Sequence, residues 1–360
     1  MGRPALSSSG VSVFPFAVVA SLLAGQSASA QDTPQELVTA TKDAGFSVAQ
    51  LDSVRAGGIV TRILLRHDDN EAFVTGVVRI RAPGDALADG IRSLELLRRG
   101  SRTLQIGRFA APPTIEDIRP LVLEARDLDD LRRCKVGDCD VQVDRSTMQQ
   151  IQAIDWEAAG ARERAAQLTK GILLAQVRAY LEQGSPAMAA YDDSEPPESA
   201  ASAFEQILRD SPDLVRSDPA FYRYLLGFPS AARPPNLESF LYWSKEKLRR
   251  PVVSIVHVCL RPLEDHGRRS YRIAIKHVYD SHYFLGYAEF LTMTPDSAAT
   301  HGFYLVRSVR ALINPPRGWF RGFLLGRIKS AMRDQLARDL LRTRSRLEAS
   351  PPTAETKDQK

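Results

Sequence analysis

The sequence lacks the short motifs that identify common hydrolases and metalloenzymes. It contains no Gly-x-Ser-x-Gly nucleophile elbow and no His-Glu-x-x-His pair, and only six histidines occur among its 360 residues. A metal site needs His, Cys, Asp or Glu ligands at short spacing, and the histidines and the three cysteines form no such cluster. We therefore expect no metal and no cofactor, and no motif assigns a catalytic residue.

Long apolar segments are absent after the N-terminus, so no later membrane-spanning helix is predicted. An apolar run at 11–24 precedes Ala28-Ser29-Ala30, whose small side chains fit a cleavage site. The run is shorter than the roughly 20 residues that span a bilayer. Residues 1–30 are thus predicted to be a signal peptide cleaved after Ala30, and the alternative is an uncleaved anchor. The mature protein is expected to be periplasmic or secreted.

A strong excess of one charge is also missing. Lys and Arg number 48 against 43 Asp and Glu, which gives a net charge of +5 with both signs interspersed. Nucleic-acid-binding domains concentrate basic residues on one face, so we expect no nucleic-acid partner. The C-terminal segment is rich in Arg, which leaves at most a peripheral contact with an anionic membrane surface open. Nothing in the sequence indicates the oligomeric state.

Two of the three cysteines lie close together. Cys134 and Cys139 bracket Lys-Val-Gly-Asp, where Gly137 would help the chain to turn back. In an oxidising compartment such a pair can form a disulfide, and the alternative is two free thiols in a turn. Cys259 lies in an apolar run and is predicted to be a small buried residue.

Strand-like and helical patterns occupy different parts of the chain. Short strands are predicted before residue 110, a helical pattern extends over about 145–250, and antiparallel strands follow. An apolar stripe then predicts a long C-terminal helix through Leu325, Ile328, Met332, Leu336 and Leu340. This order predicts an α+β fold in which an antiparallel sheet packs on the C-terminal helix. The predicted domain covers 31–349 with a helical insertion at about 145–250, followed by a disordered tail at 350–360.

This order of elements resembles the helix-grip architecture of START-related lipid-binding proteins. That resemblance implies an apolar cavity between the curved strands and the C-terminal helix. Three segments also resemble the signatures of an uncharacterised family of exported bacterial proteins: Cys134-Lys-Val-Gly-Asp-Cys139, Tyr242-Trp-Ser-Lys-Glu246 and Ser281-His-Tyr-Phe284. The second resemblance implies a shared fold and compartment, and it implies no activity.

Several polar residues occur in otherwise apolar strands. His257 and Lys276 have apolar neighbours at the alternate positions of their strands, and His282 continues the parity of Lys276. Arg310 stands near the end of the last predicted strand. Buried charges need partners, and the candidate acids are Glu246, Asp280 and Glu289. Such residues either bind a ligand in a cavity, or lie on the solvent face or in structural ion pairs.

The preferred hypothesis is a soluble periplasmic protein that binds an apolar or amphipathic ligand such as a lipid, without catalysis. Lys276, His282 and Arg310 would contact an anionic head group, and His257 and Glu246 complete the predicted ligand-binding set. One alternative is a periplasmic hydrolase in which His257 or His282 acts as general base with Asp280 or Glu246. Another alternative is a non-catalytic envelope protein that acts through its partners.

Overall fold

The computed structural model describes six continuous parts of the chain and a few single residues. These are 44–65, 70–98, 102–265, 267–297, 301–314 and 321–349, with Met1, Gly2, Val38, Thr41 and Gly100. Apart from Met1 and Gly2, the predicted signal peptide lies outside the described residues, and so does the predicted tail at 350–360. All elements below belong to one compact unit, Thr33–Lys360.

Ten strands and eleven α-helices occur among the described residues. The strands are β1 (Ile59–Leu64), β2 (Glu71–Ile80), β3 (Thr103–Arg108), β4 (Ala190–Tyr191), β5 (Glu198–Ser199), β6 (Glu238–Glu246), β7 (Val252–Asp265), β8 (Arg268–Asp280), β9 (Phe284–Pro295) and β10 (Phe303–Ile313). The helices are α1 (Val48–Arg55), α2 (Gly84–Arg92), α3 (Glu95–Arg98), α4 (Ile115–Ile118), α5 (Ala125–Arg133), α6 (Arg145–Gln152), α7 (Ala161–Gln183), α8 (Ala200–Arg209), α9 (Pro212–Ser217), α10 (Pro219–Gly227) and α11 (Arg321–Ala349).

Eight of the strands form one antiparallel sheet, in the order β1-β2-β10-β9-β8-β7-β6-β3. Consecutive strands β6 to β10 are neighbours, as short hairpin connections favour. In contrast, β2 pairs with β10 across most of the chain, and β3 pairs with β6. The predicted α+β fold, with an antiparallel sheet packed on a long C-terminal helix, is therefore confirmed.

The two faces of the sheet are covered by different helices. One face, here called the bundle face, packs against α7–α10 through residues such as Ile255, Cys259 and Ala274. The other face, here called the α11 face, packs against α2 and α11 through residues such as Val258 and Ile273. Because successive side chains of a strand point to opposite faces, each central strand contributes to both cores.

Close contact between α11 and the sheet depends on a glycine of β2. A Cβ atom at Gly76 would lie 2.7 Å from Leu340 Cδ1 and 2.8 Å from the Thr61 methyl carbon. Leu336 and Leu340 of the predicted apolar stripe are both buried in the core of the α11 face. Any larger residue at position 76 would therefore push α11 away from β1 and β2.

The predicted helical insertion ends earlier than expected. Helices extend only to Gly227, and Glu238–Glu246 forms β6 rather than the helix predicted up to about 250. The β6 side chains from Phe240 to Lys245 are all buried, because they alternate between the two covered faces of the sheet. An apolar run covered on both sides hides the period of two, so periodicity alone did not separate this strand from a helix.

Candidate functional site

The five residues predicted to bind a ligand lie in three separate places. His257, Lys276 and Arg310 lie on the bundle face, where strand pairing puts them in one row. His257 pairs with Lys276, and Ala288 of β9 pairs with both Lys276 and Arg310. His282 lies in the connection between β8 and β9, and Glu246 ends β6. The predicted set therefore does not form a single site.

Arg310 forms a buried ion pair. Both Arg310 and Glu71 are 0 % exposed, and Arg310 Nε donates to Glu71 Oε1 at 2.6 Å. Arg310 Nη1 also donates to the Ile207 carbonyl and to Ser211 Oγ, each at 2.6 Å, at the C-terminal end of α8. These contacts join β10 to β2 and to the helices, which is a structural role for this guanidinium.

Lys276 is buried without a carboxylate partner among the described residues. Its Nζ donates to Ser185 Oγ at 3.0 Å and lies 3.9 Å from the ring centroid of Phe204 and 5.0 Å from that of Tyr180. Burial lowers the pKa of Lys276 from 10.5 to about 7. A substantial fraction of this amine is therefore neutral at neutral pH.

His257 neighbours Lys276 and is also held in its neutral form. Its Nδ1 lies 2.9 Å from the Tyr180 hydroxyl, and its Nε2 lies 3.5 Å from Cys259 Sγ. Burial, with the nearby charge of Lys276, lowers the pKa of His257 to about 3. Burial likewise raises the pKa of the Cys259 thiol to about 12. Cys259 is thus an inert buried thiol, consistent with its predicted role.

His282 is fixed in a charged cluster beside the disulfide loop. Cys134 and Cys139 form a disulfide with a Cα–Cα distance of 4.6 Å. His282 Nδ1 lies 2.7 Å from the carbonyl oxygen of Asp140, and Nε2 lies 3.3 Å from Asp127 Oδ2. Each ring nitrogen of His282 is therefore engaged by an oxygen atom. His282 therefore has no free nitrogen to take a proton from a substrate.

Arg250 completes this cluster. Its guanidinium binds Asp127 at 2.5 Å, Asp130 at 2.6 Å and Asp140 at 3.2 Å. Although burial opposes the shift, hydrogen bonds from His282 and Arg250 lower the pKa of Asp127. The cluster connects α5 and the disulfide loop to the β8–β9 connection, and every charge in it has an opposite neighbour.

Glu246 opens onto a cavity on the α11 face. The cavity has a volume of about 110 Å³ and lies between β6–β10 and the C-terminal half of α11. The Glu246 side chain is about one third exposed, and its nearest cation is Arg102 at 3.6 Å. Partial burial raises the pKa of Glu246, while Arg102 opposes the shift. Among the five predicted residues, Glu246 is the one that lines this cavity.

A β-bulge in β8 places a histidine and an aspartate together next to this cavity. The register between β7 and β8 shifts after Ile255, so that Val256 pairs with His277 while Ile255 pairs with Tyr279. Without the extra residue, His277 and Asp280 would point to opposite faces, because they are an odd number of positions apart. With it, His277 Nδ1 lies 2.8 Å from Asp280 Oδ1 and 3.0 Å from Oδ2.

The Asp280 carboxylate favours the protonated form of His277. Burial alone would lower the pKa of His277, but the negative charge and hydrogen bond of Asp280 raise it above the usual value of 6.5. Ser254 Oγ also donates to Asp280 from the neighbouring strand. Since Asp280 occupies Nδ1, the Nε2 atom of His277 is the one available to the cavity.

A second ion pair in the cavity is fully satisfied. Glu289 Oε2 accepts from Arg307 Nε at 2.8 Å, and Glu289 Oε1 accepts from the Tyr287 hydroxyl at 2.7 Å. Burial would raise the pKa of Glu289, but Arg307 and Tyr287 lower it overall. Glu289 and Arg307 are therefore held as a charged pair.

Four other polar groups in the cavity are not satisfied in this way. Within the described parts of the chain, neither His277 Nε2 nor the Tyr242 hydroxyl has a hydrogen-bond partner. Arg342 Nη1 is buried without a hydrogen bond and lies 3.9 Å from Asp339. Glu246 has only the distant contact with Arg102. Unsatisfied polar groups that border one cavity can bind a ligand or water.

The remaining site types find no support in the described residues. No group of three or more His, Cys, Asp or Glu side chains there is arranged to hold a metal ion. None of the helices described here is long and apolar enough to cross a bilayer. Searches of family models, curated proteins and solved structures found no match to this chain.

The sequence did not identify His277 as a site residue, because only the β-bulge brings its partner Asp280 to the same face of the sheet. Asp280 was weighed as a candidate acid, but strict alternation assigns it to the opposite face from His277. The parity predicted for His282 required that the strand continue without a bend, whereas β8 ends at Asp280. Apolar residues occur at both parities of β8, as in Ile273, Ala274 and Ile275, so the sequence carried no clear signal of the shift.

Proposed function

We propose that this protein binds a small amphipathic molecule in the cavity between the sheet and α11. The observation that carries the proposal is the set of incompletely bonded groups at that cavity: His277 Nε2, the Tyr242 hydroxyl, Arg342 Nη1 and the Glu246 carboxylate. A ligand with hydrogen-bond donors and acceptors would satisfy these groups. The neighbouring Glu289–Arg307 pair needs no such partner.

The size and walls of the cavity narrow the class of ligand. A volume of about 110 Å³ corresponds to about four water molecules at roughly 30 Å³ each. It is below the roughly 300–1,000 Å³ of pockets for drug-sized ligands. A lipid with a long acyl chain exceeds this volume. Apolar side chains also line the cavity, namely Leu96, Leu97, Ile106, Ile275 and Phe284. We therefore favour a small ligand with one polar and one apolar part.

The hydrolase alternative centred on His282 has less support. Both ring nitrogens of His282 are engaged by acceptors, and His257 is buried under the helices with a pKa of about 3. Neither residue is poised to take a proton from a substrate at the α11 cavity. The role of an envelope protein acting only through partners stays a prediction, and it would leave the cavity without a bound small molecule.

The proposal includes export to the periplasm or the medium. The disulfide between Cys134 and Cys139 supports an oxidising compartment, where such bonds persist. N-terminal sequencing of the protein from the periplasmic fraction tests this part. A mature chain that begins at Gln31 is expected.

Native mass spectrometry of the mature protein tests ligand binding. The protein would be purified gently from the periplasm, and a stoichiometric mass that leaves on denaturation is expected. The double substitution His277→Gln with Tyr242→Phe should reduce ligand occupancy at least tenfold, because it removes two cavity hydrogen bonds with little change in volume. His301→Gln, at an exposed histidine, is the matched control.

Two outcomes contradict the proposal. One is a bare mass in repeated preparations together with no small molecule released on denaturation. The other is a bound molecule whose occupancy is the same in the double variant and in the control.

A further inference from the structure

A serine is held at the base of an open pocket on the bundle side. Ser185 begins a single 3₁₀ turn, Ser185–Ala187, directly after α7. Gly184 precedes it with φ +73°, and a Cβ atom there would lie 1.7 Å from the Phe228 carbonyl oxygen. Only glycine fits this backbone, so the position of Ser185 is fixed by packing against the segment after α10.

The pocket above Ser185 is large enough for a small ester. It has a volume of about 490 Å³, and Ser185 is among the residues that line it. Tyr222, Leu226 and Phe228 give it apolar walls, while Glu205 and Arg209 are exposed at its edge. Such a lining suits an acyl group of moderate length rather than a highly charged substrate.

Lys276 reaches Ser185 from the sheet. The lysine does not line the pocket but lies behind the serine, with Nζ 3.0 Å from Ser185 Oγ. Lys276 is 2 % exposed, and the aromatic rings of Phe204 and Tyr180 surround its ammonium end. A buried lysine next to a serine hydroxyl is one of the arrangements that activates a serine nucleophile.

We propose that Ser185 and Lys276 form a nucleophile–base pair that hydrolyses carboxylic esters bound in this pocket. This activity is separate from ligand binding at the α11 cavity, because the two sites use opposite faces of the sheet. Neither Ser185 nor Lys276 belongs to a motif that the sequence alone identifies.

The reaction balances with water as the second substrate. Ser185 Oγ attacks the ester carbonyl carbon while its proton passes to the neutral amine of Lys276. The alcohol leaves with that proton, and the acyl group stays on Ser185. Water then attacks the acyl-serine, giving its proton to Lys276, which returns a proton to Ser185 Oγ as the carboxylic acid departs.

The protonation of Lys276 should set the pH dependence. The groups that face it are Tyr180 from α7, Glu205 from α8, and His257 and Cys259 from β7. Tyr180 and Cys259 have pKa values raised by burial and His257 is neutral, so none of these three changes charge between pH 5 and 9. The rate should therefore rise with pH through the Lys276 pKa of about 7.

Labelling with an alkyl fluorophosphonate tests the pair directly. The mature protein should gain one phosphonyl group on Ser185, identified by peptide mass spectrometry. Ser185→Ala should abolish that adduct, and Lys276→Met should slow labelling by about a hundredfold or more, the usual share of a general base. Hydrolysis of p-nitrophenyl butyrate should show the same losses.

Matched controls separate this role from a structural one. Ser230→Ala changes another serine of the same pocket. Lys170→Met changes another lysine with a lowered pKa, which donates to the Arg119 carbonyl away from the pocket. Neither control should alter labelling of Ser185. Thermal unfolding of each variant would show that Ser185→Ala and Lys276→Met still fold.

Three results would overturn the proposal. The first is labelling of Ser185 no faster than that of Ser230 in the unaltered protein. The second is a folded Lys276→Met variant that labels at the unaltered rate. The third is a labelling rate that does not change between pH 5 and 9. Loss of labelling with ligand retained at the α11 cavity would leave the proposed binding function intact.

Discussion

Four ionisable groups in the sheet differ in which protonation state their surroundings favour, and the difference follows the face on which they lie. On the α11 face, Glu289 lies against Arg307 and His277 against Asp280, and the pKa shifts of Glu289 and His277 favour their charged forms. On the bundle face, Lys276 and His257 contact hydroxyl groups and aromatic rings, and burial favours their neutral forms. These four residues thus favour their charged forms on the α11 face and their neutral forms on the bundle face.

The difference follows from what covers each face. The α11 face borders a cavity. Its Glu289–Arg307 pair joins neighbouring strands, and the bulge in β8 brings His277 and Asp280 together. The bundle face is closed by helices whose inner surfaces are mainly apolar and aromatic. Burying an unpaired charge beneath these apolar helices costs free energy. The pKa values of Lys276 and His257 are therefore lowered, and their neutral forms are favoured. Arg310 and Lys245 are exceptions on the bundle face, because each is paired with a carboxylate, Glu71 and Glu124 respectively.

Removing Arg310 should have the largest effect on stability. Arg310→Met leaves the Glu71 carboxylate buried without its partner, and we expect a loss of about 3–5 kcal/mol in the free energy of unfolding. Denaturant titration measures this loss. Adding Glu71→Gln should recover a large part of it. Arg162→Met, in an exposed pair with Asp129, is the control and should be nearly neutral.

Equal losses of stability in Arg310→Met and in the control would mean that the buried pair with Glu71 does not stabilise the fold. The contrast between the faces would then not depend on pairing.

Replacing Lys276 should stabilise the protein at neutral pH. The folded pKa of about 7 lies below the unfolded value of 10.5, so the unfolded state binds more protons between these values. The stability contributed by this site therefore rises with pH from about 7 to 10.5. At about 1.4 kcal/mol per pKa unit, Lys276→Met should gain on the order of 2–4 kcal/mol at pH 7, and less as the pH increases.

Urea titrations at several pH values between 6 and 10 would measure this difference, with Lys247→Met at an exposed lysine as the control. A difference between Lys276→Met and the unaltered protein that does not depend on pH would show that Lys276 stays charged when folded.

Replacing His277 should have a smaller effect with the opposite dependence on pH. Its folded pKa is raised above the unfolded value of 6.5, so its stabilisation is complete below pH 6.5 and disappears as the pH rises through the folded pKa. His277→Gln should lose about 1–2 kcal/mol at pH 5.5 and less at pH 8.5. Thermal unfolding at both pH values measures it, with His301→Gln as control. A larger loss at pH 8.5 than at pH 5.5 would mean that the folded protein does not favour the charged form of His277.

Most of the fold was predictable because it depends on long patterns. Antiparallel strands were predicted after about residue 250, where β7 begins at Val252. The stripe through Leu336 and Leu340 predicted a helix packed on the sheet. The same logic failed at β6, where burial on both faces removed the alternation. β7 is also covered on both faces, so burial on both faces made β6 ambiguous but did not always prevent a correct prediction.

The candidate site was less predictable because it depends on local geometry. Glu246 was identified and lines the cavity, but His277 needed the bulge that turns Asp280 toward it. Ser185 and Lys276 are 91 positions apart, and only the packing of the 3₁₀ turn on the sheet joins them. Local sequence composition predicts neither a one-residue register shift nor a contact between distant segments.

The pairing of β2 with β10 has a consequence for how the chain is made. Val78 pairs with Leu305, so the pairing of β2 with β10 requires a strand that is synthesised more than 200 residues later. At about 5–20 residues per second, roughly 10–50 s separate the synthesis of the two strands. During that interval β2 can pair with β1, but its other edge has no partner strand. The sheet can therefore reach its final topology only after β10, near the end of the chain, has been synthesised.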